Sequence, residues 1–183
     1  MDKGYHKIYW GLIFLSFHIN LGPIKVLPPF ISWLIILLGV DILRKTYDYS
    51  PFKDSVRYIK VLILVTAVGD LISMLQISPI YNSIMFSYLP ILVMILELIF
   101  ASKVLEGSIE ALRAEDKEGK ALLLEYNQGY FIRLYTIAIL GLILALTLRD
   151  KVLLTIGAIF ALIISIFLMS IINRLKKEFS GLE

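Results

Sequence analysis

Two charged residues inside long apolar segments are the first candidates for chemistry. Glu97 and Arg133 lie in consecutive segments, each about 11–12 Å from the same predicted membrane face at 1.5 Å per residue. A charge at that depth is costly unless it is paired or reaches a water-filled cavity. We therefore predict a Glu97–Arg133 ion pair, with Tyr130 one helical turn away from Arg133. Two interpretations stay open: a structural clamp, or the floor of a binding cavity or proton site.

A second candidate group surrounds an acidic residue in the third apolar segment. Thr66, Gly69, Asp70 and Ser73 recur at helical spacing, so they share one face of the predicted helix. Asp70 should lie in the outer half of that helix. Its candidate partners come from the end of the first segment and the turn after it: His18, Asn20 and Lys25. Structural pairing and a ligand site open to the outside are both compatible with this pattern.

Most catalytic and cofactor motifs are missing from the sequence. The chain has no cysteine, which excludes disulfides, thiolate nucleophiles and cysteine-ligated zinc. It has no Walker loop, dinucleotide fingerprint, zinc-protease helix or nucleophile elbow. We expect no enzymatic activity, no cofactor, no metal site and no nucleic-acid partner.

The elements that must position these residues are apolar helices. Hydrophobic residues make up 58% of the 183, and charged residues 18%, against about 25% in ordinary globular proteins. A helix that spans a bilayer needs about 20 mostly apolar residues. The sequence predicts an all-α membrane protein with six transmembrane helices in one bundle, near 7–22, 29–45, 56–76, 83–103, 126–148 and 151–173.

The distribution of basic residues predicts the orientation. Fourteen lysines and arginines fall around the two ends of the chain and the second and fourth connections, and three fall in the alternate set. Positive charge accumulates on the cytoplasmic side of membrane proteins. We therefore predict a cell-membrane protein with both termini cytoplasmic and the lipid bilayer as its first partner. The first two segments are short, so they either span the membrane, the preferred interpretation, or form a re-entrant hairpin.

One polar region interrupts the apolar chain, around residues 104–125. We treat residues 1–183 as a single transmembrane domain from which this region extends as a cytoplasmic helical hairpin, turning at Glu118–Lys120. The hairpin is either a solvated connection or a docking surface for a protein partner. We expect no cleavable targeting signal, because the first apolar run lacks a small-residue cleavage site.

Two resemblances add to this interpretation. The stretch from Ile19 to Ile31 resembles the pattern INxGxIxxLPxFI of small multi-pass bacterial membrane proteins without an assigned function. In size and span count the chain also looks like the substrate-binding components of energy-coupling-factor vitamin transporters, which bind a small molecule from outside and work through a partner. Their first helix carries an alanine-x-x-x-alanine motif, whereas the first segment here has no alanine.

These observations favour a membrane protein that binds a small molecule or serves as an accessory subunit of a transport or signalling complex. The candidate ligand-binding residues are Asn20, Lys25, Asp70, Glu97, Tyr130 and Arg133. A proton- or ion-coupled transporter is the alternative, in which Asp70 and Glu97 would titrate. A membrane-embedded lipid-modifying enzyme is the second alternative.

Overall fold

The computed structural model describes residues 2–16, 20–21, 24–25, 28–75 and 84–180. The prediction of an all-α fold is confirmed in these ranges, where six long helices carry the structure. A one-turn helix and a pair of two-residue antiparallel strands accompany them. In chain order the elements are α1 Asp2–Ser16, β1 Asn20–Leu21, β2 Ile24–Lys25, α2 Pro29–Tyr47, α3 Ser50–Leu75, α4 Ile84–Ser87, α5 Leu89–Ala114, α6 Glu118–Leu148 and α7 Lys151–Ser180.

The helix boundaries have local causes. Proline occupies the first turn of α2 and of α5, where its missing N–H is not needed. Two helices end on a residue in the left-handed region: Asp48 after α2, with φ 42°, and Arg149 after α6, with φ 52°. The Asp150 carboxylate then accepts the Val152 N–H at 2.8 Å and caps α7. The chain therefore reverses sharply between its last two helices.

The six long helices form a closed ring. Each one packs mainly against its neighbour in sequence, and α7 packs against α1. The beginning of α1 and the end of α7 meet at one end of the bundle, where the rings of Tyr5 and Phe179 stack 5.3 Å apart. We call this end the basic end, because most lysines and arginines cluster there.

The outside of the ring is apolar on every long helix. Large hydrophobic side chains stand more than 35% exposed on all six, among them Leu64 on α3 at 64% and Leu140 on α6 at 60%. Within the described residues, α6 and α7 are the two helices whose length and composition alone would let them cross a membrane. Less than a third of each apolar stretch is buried inside the protein.

Glycines set the closest helix contact, between α1 and α2. A Cβ on Gly39 would lie 2.6 Å from the carbonyl oxygen of Gly4, and one on Gly11 would lie 2.3 Å from Ile36. The two backbones therefore touch, as small residues allow in membrane bundles. By contrast, a Cβ on Gly141 of α6 or on Gly157 of α7 would meet nothing within 4 Å.

The polar region around 104–125 forms a helical hairpin with a buried side. It turns at Glu115–Lys117, a few residues earlier than the sequence suggests, so that α6 begins at Glu118. One face of the last turns of α5 is fully buried, and Ser108 accepts the Tyr5 hydroxyl at 2.8 Å. The Phe52 ring fills the space above Gly107. The solvated interpretation therefore holds only for the outer face of the hairpin.

A cluster of aromatic and charged groups joins the basic end. The Tyr47 hydroxyl donates to the Glu115 carboxylate at 2.9 Å, and Tyr47 packs edge-on against Phe179. Lys117 lies over the Phe179 ring and, with Lys120, contacts the Glu178 carboxylate. Burial raises the pKa of the Tyr5 phenol well above its usual range, so Tyr5 stays a neutral donor. These contacts fasten α2 and the hairpin to the last turn of α7.

Substituting Gly39 by alanine should loosen the α1–α2 contact. Overpacking a tight site costs about 1–3 kcal/mol, so we expect a clear drop in melting temperature in detergent. Gly141→Ala is the matched control, because its added methyl group meets nothing within 4 Å and alanine is the better helix former. Equal melting temperatures for the two variants would contradict a backbone contact at Gly39.

The Glu178 ion pairs should make stability depend on acid pH. The hydrogen bond from Lys120, with that from Lys117, holds the pKa of Glu178 below its usual range. A lowered pKa in the folded state stabilises the fold above the unfolded pKa of about 4.3, and this stabilisation disappears as pH falls through the folded value. Because the pair is partly exposed, Glu178→Gln should lower the melting temperature at pH 7 by at most about 4 °C.

The difference between wild type and Glu178→Gln should shrink as pH falls below the unfolded pKa of about 4.3, as followed by thermal unfolding across pH. Glu110→Gln is the control, since Glu110 makes no ion pair within the described part of the chain. A Glu178→Gln difference that persists unchanged in acid would refute the role of the charge.

Candidate functional site

A cavity of about 570 Å³ lies inside the ring, on the side away from the basic end. All six long helices contribute to its wall. The wall is mostly apolar, with Leu12, Trp33, Val93, Met94, Phe100 and Phe131 among its members. Its volume falls in the range of about 300–1,000 Å³ that is typical of small-molecule sites. The cavity is therefore large enough to hold a small organic ligand.

One carboxyl group in this cavity is held by a phenol. Glu97 of α5 accepts a hydrogen bond of 2.5 Å from the Tyr135 hydroxyl of α6. Both residues line the cavity, and Tyr135 is only 7% exposed. The bond fixes the direction of the carboxyl group while its remaining lone pairs stay available to a ligand. It also links two neighbouring helices at the floor of the cavity.

A second carboxyl group enters the cavity from α3. All four positions of the predicted α3 stripe, Thr66, Gly69, Asp70 and Ser73, line the wall. Asp70 is 8% exposed, which is rare for an aspartate. Thr66 donates its hydroxyl to the Leu62 carbonyl at 2.7 Å, which leaves its oxygen as an acceptor on the cavity side. The α3 face is therefore rich in acceptors.

The cavity wall also contains a buried donor. Trp33 of α2 is 1% exposed and packs edge-on against Phe100, with ring centroids 5.7 Å apart. Its Nε1–H finds no acceptor among the residues that the structure describes. A buried donor without an acceptor costs free energy, and a polar ligand atom in the cavity could supply that acceptor.

The predicted ion pair between Glu97 and Arg133 is wrong. The Arg133 side chain is exposed on the outer face of α6, where its Nε donates to the Gly129 carbonyl at 3.2 Å. Glu97 bonds instead to Tyr135, two residues further along. Depth along the helix was estimated correctly, but two residues correspond to about 200° of rotation at 3.6 residues per turn. The side-chain contact that joins α5 to α6 here is therefore a hydrogen bond from the neutral Tyr135 hydroxyl to the Glu97 carboxyl group, and not an ion pair.

The other candidates divide into two groups. Tyr130 stands 47% exposed on the outside of α6 and packs edge-on against Phe167, so it does not line the cavity. Asn20 and Lys25 pair with each other through the β1–β2 backbone, but their side chains lie outside the described part of the structure, as does His18. The predicted pairing of Asp70 with these residues is therefore not described.

A pattern in α6 identifies Tyr135, which the sequence analysis missed. The inward positions of α6 recur at alternating steps of three and four residues: Ala121, Leu124, Gln128, Phe131, Tyr135, Ala138, Leu142 and Ala145. Arg133 lies off this stripe, and Tyr135 lies on it. Mostly apolar residues at this heptad spacing are typical of a helix face in contact with its neighbours. The heptad pattern of α6 therefore predicts that the Tyr135 side chain points into the bundle.

The chemistry of the site follows from its charged groups. Two carboxyl groups line the cavity, whereas none of the lining residues that the structure describes is lysine, arginine or histidine. Within the described ranges, no group of three or more histidine, cysteine or acidic residues could hold a metal ion. Acceptors in an apolar enclosure suit an organic cation or a ligand with several donors.

Comparison with known proteins gives no relative. No family model, no curated protein and no solved structure matches this chain significantly.

Proposed function

We propose that the chain is an integral membrane protein with six spanning helices and both ends in the cytoplasm. An apolar exterior on all six long helices suits a lipid environment, where every backbone polar group must be satisfied within the helix. The contact between Tyr5 and Phe179 brings both ends of the described bundle to the basic end. Cytoplasmic placement of that end agrees with the preference of lysine and arginine for this side. The cell membrane of a bacterium is the proposed location.

Topology can be tested by labelling single cysteines, because the natural chain has none and gives no background. Lys151→Cys should react with a membrane-impermeant maleimide added to intact cells. Lys53→Cys and Lys120→Cys should react only after the cells are permeabilised. Lys25→Cys tests the first two helices: labelling from outside supports spanning, and protection supports a re-entrant hairpin. Labelling of Lys120→Cys in intact cells would refute the proposed orientation.

We further propose that the cavity binds a small organic cation and that the chain acts without enzymatic activity. The observation that supports this most directly is the pair of carboxyl groups, Asp70 and Glu97, in one apolar cavity whose described lining includes no lysine, arginine or histidine. Glu97, oriented by Tyr135, would accept hydrogen bonds from the cationic group.

In this proposal the chain is the binding or accessory subunit of a membrane transport or signalling complex. The resemblance in size and span count to energy-coupling-factor substrate-binding components is compatible with that role. The outer face of the α5–α6 hairpin would be the surface for a protein partner, since it is charged and reaches beyond the membrane. Co-purification with further subunits from native membranes would support the assignment.

A second candidate is a self-sufficient proton- or ion-coupled transporter. The observation that favours it is a carboxyl group at membrane depth that faces a cavity, since such groups mark proton and ion pathways. Purified protein in liposomes should then move a cation across the membrane when a pH gradient is imposed. A binding subunit should bind its ligand in the same preparation without moving it.

Ligand class can be tested by calorimetry of purified protein with benzylammonium and benzoate, which match in size and differ in charge. We expect benzylammonium to bind and benzoate not to bind. Glu97→Gln and Asp70→Asn should each weaken binding by about tenfold or more, which corresponds to about 1.4 kcal/mol. Glu125→Gln, at the surface beside Arg113, should leave binding unchanged. Equal binding of both probes, or no loss in the Glu97 and Asp70 variants, would contradict the cation site.

A further inference from the structure

A second concave site lies far from the cavity, between α6 and α7 at the basic end. It is a groove of about 610 Å³ that the end of α5 also borders. Its inner part is apolar: Leu124 and Ile171 are at most 5% exposed. Leu123 forms one rim and is 56% exposed. None of these residues lines the cavity described above.

The mouth of the groove is strongly basic. Four cationic residues and a single carboxylate line the mouth, which gives it a formal charge of +3. The cationic residues are Lys117, Lys120, Arg174 and Lys177, and the carboxylate is Glu178. Glu178 is shared by Lys117, in the turn before α6, and Lys120, in the first turn of α6. Arg174 and Lys177 are exposed and make no ion pair with any residue that the structure describes. The mouth therefore has unneutralised positive charge.

The helix geometry brings these cations together. Arg174, Lys177 and Glu178 are three and four residues apart, so they share one face of α7. The contact of Lys120 with Glu178 draws the first turn of α6 to that same face. Asn127 lies two turns deeper on α6, where the wall becomes apolar. The groove is therefore cationic at its mouth and becomes apolar further in.

We propose that this groove binds one anionic glycerophospholipid. Its phosphate would lie between Arg174, Lys177 and Lys120, and one acyl chain would run inward over Leu123 and Leu124. Cationic groups at the cytoplasmic surface attract anionic lipid, and an apolar groove beneath them accommodates a chain. A soluble anion would not use the apolar wall, and a zwitterionic lipid would gain less from the charge. The inference rests on the proposed membrane location but not on the cation cavity.

Native mass spectrometry of delipidated protein in detergent tests the proposal. We expect dioleoylphosphatidylglycerol to bind at least tenfold more tightly than dioleoylphosphatidylcholine, and inorganic phosphate to leave its binding unaffected at millimolar concentration. Arg174→Gln with Lys177→Gln should abolish this preference. Arg57→Gln with Lys60→Gln removes the same charge from exposed positions of α3 at the basic end and should keep it. Loss of the preference in both double variants would show a general charge effect and overturn the site.

The acyl-chain contact has its own matched pair of variants. Leu123→Asn should weaken phosphatidylglycerol binding several-fold, whereas Leu122→Asn should not, because Leu122 is equally exposed but does not line the groove. Equal losses of binding in Leu123→Asn and Leu122→Asn would overturn the groove as the binding surface. Displacement of phosphatidylglycerol by inorganic phosphate would show a simple anion site instead of a lipid site. Because binding is measured in detergent, a failed topology experiment and a failed lipid experiment remain separate results.

Discussion

Closure of the helix ring at the basic end is the constraint on which the rest of the structure depends. Six helices arranged in a circle leave a space at their centre, and proteins fill such spaces wherever they can. At the basic end large rings fill it: Tyr5 reaches Ser108 across the bundle, and Phe52 lies against Gly107. Further along, Trp33 and Phe100 still pack against each other, and the cavity lies beside them among the described residues. The cavity is therefore the part of the centre that these rings leave unfilled.

Carboxyl groups in that remaining space need a physical explanation. Acidic residues in an apolar interior are expensive, and a purely structural ring could be built with apolar side chains in their place. Glu97 has a fixed hydrogen-bond partner in Tyr135, and Asp70 lies on a face of acceptors with Thr66 and Ser73. A stripe of acceptors on one wall and an oriented carboxyl group on the floor therefore form the polar part of an otherwise mostly apolar cavity.

The sequence predicts the number of helices, their approximate ends and the α3 face, because these follow from hydropathy and helical period. It does not predict rotation about a helix axis equally well. Arg133 was placed at the right depth and on the wrong side, since a charge among apolar residues was assumed to point inward. The arginine instead bonds to a backbone carbonyl on the outer face of its own helix. Likewise Gly4 and Gly11, seven residues apart on one face of α1, determine the tightest packing together with Gly39, and their spacing alone does not say which helix they meet.

The ring also implies an order of assembly. Since neighbours in sequence are neighbours in space, every interface but one can form as successive helical hairpins leave the ribosome. The exception joins α1 to α7, the first helix to the last, and it must wait until synthesis has delivered Phe179 to Tyr5. Until then the face of α1 that α7 covers in the folded protein stays open to other contacts.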